Sequence, residues 1–217
     1  MDDIEVQGRD SLDAFGERLF EIKFSDLIPL EEGRRGFRAV VPMKLEGCMV
    51  SCKSVRKGDL RAKQILYHEA VVLSRIRHPH ILNLIGICYE NKFALVTDFC
   101  FGGTLTEMIA EDEINPHAGA RIGIQVSSAV AYIHAKGYLH GAVTTQNISL
   151  LTDSIDAPFA KLTGFGKSRR FDGTLTSHPG VDVYDVCAVL IQMLAKNKRE
   201  PPLLLPTFDP IVKNGYV

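Results

Sequence analysis

The chain has 217 residues, of which 46% are apolar, and 25 Lys and Arg against 26 Asp and Glu give a net charge of −1. This length can bury the core of one two-lobed domain, and the even charge balance gives no electrostatic reason to expect a nucleic acid or an anionic membrane as partner. The sequence predicts no membrane span, and its acidic start, M-D-D-I-E-V-Q-G-R-D, lacks the apolar segment of a secretory signal. Five scattered cysteines without a C-x-x-C pair favour buried thiols in a reducing compartment, so we expect a cytoplasmic protein.

The first part of the chain predicts a sheet with one helix. Alternating apolar and polar residues predict two strands, F-R-A-V-V-P and C-M-V-S-C-K-S-V, joined by a turn at L-E-G. A helical period over D-L-R-A-K-Q-I-L-Y-H-E-A-V-V-L-S-R-I ends at H-P-H, because the residue before a proline disfavours helix. The apolar strands I-L-N-L-I-G-I-C-Y and F-A-L-V-T-D-F-C follow, so the first part of the chain is mostly antiparallel sheet.

The period changes to that of helices after F-C-F-G-G. L-T-E-M-I-A predicts a short helix, and the pattern from Pro116 to His134 predicts a long one that ends at Lys136-Gly137. Two short strands, I-S-L-L-T and F-A-K-L-T, bracket the hairpin loop D-S-I-D-A-P. The last helix, V-D-V-Y-D-V-C-A-V-L-I-Q-M-L-A-K, is apolar nearly all round and is expected to be buried. This order of elements predicts two lobes with a cleft between them.

Eight segments between Glu21 and Met193 resemble, in order, those of protein kinase domains of the tyrosine-kinase or tyrosine-kinase-like group. They are E-I-K-F-S-D-L, V-S-C-K, Y-H-E-A, H-P-H-I-L-N-L-I-G-I-C, L-V-T-D-F-C-F-G-G-T-L, Q-V-S-S-A-V-A-Y-I-H-A-K-G-Y-L-H, K-L-T-G-F-G-K-S and V-D-V-Y-D-V-C-A-V-L. The resemblance implies an α+β bilobal kinase-like fold, with a β-rich N-lobe that carries one αC helix and a mainly helical, shortened C-lobe. The implied divisions are an N-terminal arm (1–20) and a domain (21–217) made of an N-lobe (21–99), a hinge (98–103), a C-lobe (104–195) and an irregular tail (196–217).

The resemblance also implies a nucleotide site in the cleft. Lys53 stands where the family has the lysine that holds the α- and β-phosphates, and Glu69 stands at its partner on the αC helix. The other implied positions are a phosphate-loop glycine, the gatekeeper, three hinge residues that offer backbone groups to adenine, and a catalytic-loop asparagine: Gly33, Thr97, Asp98, Phe99, Cys100 and Asn147. An ordinary strand–helix ion pair that stabilises the fold is the alternative for Lys53 and Glu69. The side chain of Asp98 is expected to be solvated, with only its backbone relevant.

The motifs that would carry catalysis lack both of their carboxylates. Phosphoryl transfer needs one acid at the substrate hydroxyl and a second that holds Mg²⁺ on the phosphates. The H-R-D position reads His140-Gly141-Ala142, and the D-F-G position begins with Gly164. Asn147 remains, but one neutral amide oxygen is a poor site for Mg²⁺. The sequence therefore predicts neither a catalytic residue nor a metal ligand.

The phosphate loop and the activation segment depart from the family as well. G-R-R-G-F-R-A-V puts arginine at the second and third glycine positions, where a side chain keeps the backbone away from a phosphate. The arginines form either a solvated edge or a small anion-binding patch. Only 18 positions separate Gly164 from Asp182, without an A-P-E, and loss of the later helices should leave apolar surface on αE and αF. Asp153 and Asp156 lie in a turn that the family places away from the phosphates, so they are not expected to replace the lost acids.

Two residues are expected to preserve the shape of the catalytic loop. His140 is implied to be a buried brace of L-H-G-A-V-T-T-Q-N, and Asp182, at the start of αF, to accept hydrogen bonds from its backbone amides. The first hypothesis is a pseudokinase that binds protein partners, such as an active kinase or another signalling component. The second is a switch that holds ATP weakly and without Mg²⁺. The third is a kinase with atypical residual activity, or a fragment of an active kinase.

Overall fold

The computed structural model describes residues 19–30, 40–56, 58–89, 93–111, 114–154, 156–171 and 178–195. Most of the arm (1–20), the phosphate loop with Gly33 and its arginines, and the tail (196–217) lie outside these ranges. The described residues form an α+β fold in which a sheet with one helix is followed by a mainly helical part. The expected fold class is confirmed.

Five antiparallel strands in the order β1-β2-β3-β5-β4 form the first lobe. They are β1 (Leu27–Pro29), β2 (Val40–Leu45), β3 (Cys48–Ser54), β4 (Leu84–Cys88) and β5 (Ala94–Asp98). Strands β2 and β3 are joined by Glu46 and Gly47, whose φ angles of 48° and 84° are those of a two-residue hairpin turn. The segment before β1 lies along β4, where the Ile22 N–H donates to Ile87 O at 2.8 Å. Its apolar side chains thereby join the buried core of the sheet.

Helix α1 (Leu60–Arg75) packs on the sheet and is the αC helix of the sequence analysis. The Asp59 carboxylate caps its first turn by accepting a backbone N–H at 2.9 Å. Leu66 and Leu73 lie seven residues apart, two turns along the helix, and both are buried in the core. Glu69 lies between them and is buried too, so its carboxylate requires a partner inside the protein.

The described part of the second lobe contains three α-helices and two small sheets. These are α2 (Leu105–Ala110), α3 (Pro116–Ala135) and α4 (Gly180–Ala195), with β6 (Tyr138–Leu139) paired to β9 (Arg169–Arg170) and β7 (Ile148–Leu150) paired to β8 (Ala160–Leu162). Helices α3 and α4 approach closely at Gly123, where a Cβ atom would lie 2.5 Å from Leu190 Cδ2. Within the described ranges, no helix is both long enough and apolar enough to span a bilayer.

Helix α4 is only partly buried, which corrects the expectation drawn from its apolar sequence. Val186 and Met193 are buried, but Val183 is 52% and Leu194 is 59% exposed. On α3, Ile124 is 71% exposed. These two helices correspond to αF and αE, and each carries exposed apolar side chains.

Candidate functional site

A partly buried ion pair joins a strand and the helix of the first lobe. Strand β3 carries Lys53 and helix α1 carries Glu69, and Lys53 Nζ lies 2.8 Å from Glu69 Oε2. The Glu69 side chain is only 3% exposed and its carboxylate depends on this partner, whereas the Lys53 side chain is 37% exposed and remains accessible to an anion. The pair has the geometry that the resemblance implies, and this geometry also suits a purely structural bridge.

The hinge buries some of its side chains, and its backbone is fixed to the second lobe. Thr97 and Phe99 are buried, and the Phe99 ring packs edge-on against Phe101 at 4.8 Å. The N–H groups of Phe101 and Gly102 donate to carbonyls at the end of β7, which fixes the hinge to the second lobe. No backbone hydrogen bond between described residues engages the Cys100 N–H, so it is available to a ligand. Burial raises the pKa of the Cys100 thiol to about 12, so this thiol stays protonated at neutral pH.

Asp98 forms an ion pair, which corrects the expectation that its side chain is solvated. Asp98 Oδ2 lies 3.0 Å from Lys161 Nζ, and the two side chains are 25% and 9% exposed. Lys161 also donates to Ile81 O at 3.2 Å, and the Asp98 carboxylate accepts the Asn83 N–H at 3.4 Å. The expectation was wrong because β8 brings a buried lysine to the hinge, a contact between distant segments that no local pattern reveals.

Removing Asp98 should destabilise the fold more than removing both members of this pair. Asp98→Ala leaves the buried Lys161 ammonium without a counter-ion, and we expect it to lower the free energy of unfolding by about 2 kcal/mol. Lys161→Met removes the charge and keeps the volume, so the double variant should regain most of the loss. Urea unfolding of the four proteins measures this coupling, and losses that simply add would show that the two side chains act independently.

His140 is buried completely and braces the catalytic-loop segment. Its Nε2 lies 2.9 Å from Thr163 O, and its Nδ1 accepts the Ala142 N–H at 3.3 Å, an arrangement in which Nε2 carries the proton. The ring also packs edge-on against Phe165 at 4.6 Å. Burial lowers the pKa of His140, so its imidazole is neutral at physiological pH. All of these contacts are internal, and none involves the side chain of residue 142.

Two carboxylates of α4 hold the backbone of the same loop. Asp182 is fully buried and accepts the N–H groups of His140 and Gly141, each at 2.8 Å, as well as His134 Nε2 at 2.8 Å. Asp185 Oδ2 accepts the Val143 N–H at 3.2 Å. Asp185 is not among the predicted site residues. Its spacing of three residues from Asp182, which places both on one helix face, is the signal that could have found it.

Asn147 contacts both positions, 142 and 164, at which the resemblance implies a carboxylate that this chain lacks. Asn147 Nδ2 donates to Ala142 O at 2.9 Å. Gly164 has a φ of 78°, a left-handed conformation that favours glycine, and a Cβ atom there would lie 2.5 Å from Asn147 Oδ1. The Asn147 amide therefore fills the space in which a carboxylate side chain at position 164 would begin. The Asn147 side chain offers one neutral amide oxygen as a metal ligand at this end of the cleft. Residues Ala142, Asn147 and Gly164 therefore do not fit Mg²⁺.

Asp153 and Asp156 are exposed in the loop between β7 and β8, outside the contacts that link the catalytic-loop segment to Gly164. Among the described residues, no group of three or more His, Cys, Asp or Glu is arranged to hold a metal ion. Gly33 lies outside the described residues, so its place at the phosphates stays a prediction.

A five-stranded lobe with one helix, a helical lobe and a Lys53–Glu69 bridge define a protein-kinase type of domain. A family model described as protein tyrosine and serine/threonine kinase matches residues 32–182, and the chain belongs to this family.

Curated relatives come from both branches of that family. The seven transmembrane domain-containing tyrosine-protein kinase 1 of Dictyostelium discoideum is 28% identical over 203 residues, 87% of this chain and 28% of the relative. The serine/threonine-protein kinase PAK 4 of Mus musculus is 25% identical over 206 residues, 82% of this chain and 34% of the relative. The tyrosine-protein kinase transforming protein Abl of Abelson murine leukemia virus is 28% identical over 136 residues, 60% of this chain and 18% of the relative. The chain thus spans about a third or less of the length of these relatives.

Proposed function

We propose that this chain is a pseudokinase, a kinase-fold module that binds protein partners in cytoplasmic signalling and does not transfer phosphate. The observation that carries the proposal is the loss of both carboxylates, at Ala142 and Gly164, with the Asn147 amide packed into the space beside Gly164. A partner could be an active kinase or another signalling component. Binding of ATP is weak or absent, because no carboxylate is left to hold the metal that bridges the phosphates.

The retained architecture supports an interaction role. Asp182 and Asp185 hold the loop backbone, and His140 packs against Phe165, so the shape of the site does not depend on a carboxylate at residue 142. A surface that a partner recognises can therefore persist after the chemistry is lost. Fold and chemistry are separable here because they rest on different side chains.

Nucleotide binding without metal is the second candidate. It is supported by Lys53, which pairs with Glu69 and remains partly exposed, and by the Cys100 N–H at the hinge, which donates to no backbone carbonyl among the described residues. These groups suit a phosphate and an adenine nitrogen respectively. A kinase with atypical residual activity, or a fragment of an active kinase, is the remaining alternative, and it is supported by relatives that are themselves named as kinases.

Thermal unfolding with ATP separates these candidates. If ATP binds with a Kd near 1 mM, then about 1 mM ATP stabilises the protein by about 0.4 kcal/mol, which raises Tm by about 1 °C. We expect a rise no larger than this, equal in Mg²⁺ and in EDTA, and absent from the Lys53→Met variant. A rise of several degrees that requires Mg²⁺ would contradict the proposal, since it would mean that another carboxylate holds the metal.

A further inference from the structure

A pocket of about 330 Å³ lies outside the cleft, at the turn that leads from α1 to β4. We call it the α1–β4 pocket, and the residues that line it are Ile76, Arg77, His78, Pro79, Ile81, Leu82 and Asn83. Four of these seven residues are apolar, and Ile76 and Ile81 are almost completely buried. A cavity of this size holds one or two side chains of a ligand.

The α1–β4 pocket is built on residues that are tied to the second lobe. The Arg77 N–H donates to the Tyr132 hydroxyl of α3 at 3.0 Å, and the His78 ring stacks on the Tyr132 ring at 5.1 Å. His78 Nε2 lies 3.3 Å from Ser128 Oγ, and the Leu82 N–H donates to Leu162 O at 2.9 Å. These contacts fix the walls before any ligand arrives, which reduces the entropy lost on binding.

The charged residue in the lining of this pocket is an arginine. Its lining contains Arg77, which is exposed, and contains no Asp or Glu. No carboxylate among the described residues lies within ion-pair distance of the Arg77 guanidinium. Burial lowers the pKa of His78, and the nearby His80 and Lys161 lower it further, so this side chain adds no charge at neutral pH. An exposed guanidinium in a lining that is otherwise largely apolar suits a ligand that combines an apolar group with a carboxylate.

We infer that the α1–β4 pocket binds a segment of a partner protein in which an apolar side chain stands beside an Asp or Glu. The apolar side chain packs on Pro79 and Leu82, the accessible part of the apolar lining, and the carboxylate pairs with Arg77. A second copy of this chain fits less well, because a two-fold contact centred on the pocket would bring the two Arg77 side chains together. The inference goes beyond the proposed function, since the pocket could bind such a segment whether or not the cleft transfers phosphate.

Selection from a random dodecapeptide display library tests this inference. We expect the purified chain to enrich sequences with Asp or Glu next to Leu, Ile or Phe. A fluorescein-labelled peptide with the enriched sequence should bind in fluorescence polarisation. Its affinity should fall at least about tenfold when its acidic residues become Gln, and by a similar factor for the Arg77→Gln variant.

Arg121→Gln is the matched control, because Arg121 is an exposed arginine on α3 outside the pocket lining. It should bind the peptide as the original chain does, and Arg77→Lys should bind with intermediate affinity. No enrichment, enrichment of peptides without acidic residues, or equal affinity for Arg77→Gln would each overturn the inference. A dimer in sedimentation velocity that Arg77→Glu alters would instead make this face a contact between copies, and it would overturn the inference too.

Discussion

Purified protein should transfer no measurable phosphate from ATP, either to itself or to a mixed peptide substrate. Catalysis of phosphoryl transfer comes almost entirely from positioning and charge stabilisation, and both roles depend on carboxylates that are absent at Ala142 and Gly164. Losing the base and the metal ligand together should raise the barrier by on the order of 5 kcal/mol or more, several orders of magnitude in rate. Incubation with radiolabelled ATP, followed by gel autoradiography and filter binding, measures both reactions.

Restoring the acids should not restore the activity. Ala142→Asp alone leaves the phosphates without a metal, so we expect no gain. Gly164→Asp places a Cβ atom 2.5 Å from Asn147 Oδ1 at a φ of 78°, so this variant should be destabilised and the double variant should remain inactive. Lys53→Met serves as the control for contaminating kinases. Robust turnover by the original chain that Lys53→Met abolishes would overturn the pseudokinase proposal.

The fold was predictable because the local hydrophobic period identifies each helix and strand. The order of these elements along the chain then indicates the same two-lobed fold. L-T-E-M-I-A predicts a helix, and the structure has α2 at the same residues, Leu105–Ala110. The helix predicted from Pro116 to His134 ends one residue later, at Ala135. In both cases the capping residue, Thr104 or Asn115, is a strong local signal that tertiary packing does not override.

In the candidate site, a side-chain contact was predictable only where both residues belong to motifs of the family. Lys53 and Glu69 come together because strand β3 and helix α1 pack as the family pattern implies. The Asp98–Lys161 pair was missed, because the local sequence predicts a solvated side chain for a charged hinge residue. Only the folded chain brings Lys161 of β8 next to it. The exposed side of α4 was missed for a related reason: an apolar sequence predicts burial, but burial also needs a neighbour to supply the covering surface.

Replacing Asp182 by Ala should have the largest effect on stability. Its carboxylate is fully buried and satisfies the N–H groups of His140 and Gly141, together with His134 Nε2. Each buried donor left without an acceptor costs about 1–3 kcal/mol, so we expect the free energy of unfolding to fall by about 4 kcal/mol. Urea unfolding followed by circular dichroism measures it. Asp182→Asn, which keeps one acceptor oxygen, should recover part of the loss.

Asp185→Asn is the matched control on the same helix face, and its effect should be small and pH-dependent. Burial raises the pKa of Asp185 above its ordinary 3.8, with a further rise from Asp182, although the Val143 N–H opposes both. A carboxyl whose folded-state pKa is raised destabilises the fold while it is ionised, and that loss is relieved as pH falls through the raised pKa. Asp185→Asn should therefore change stability at pH 7 by no more than about 1 kcal/mol and should gain less on mild acidification than the original chain. Equal losses of unfolding free energy for the Asp182 and Asp185 variants would contradict this. They would mean that both carboxylates stabilise the loop to a similar extent.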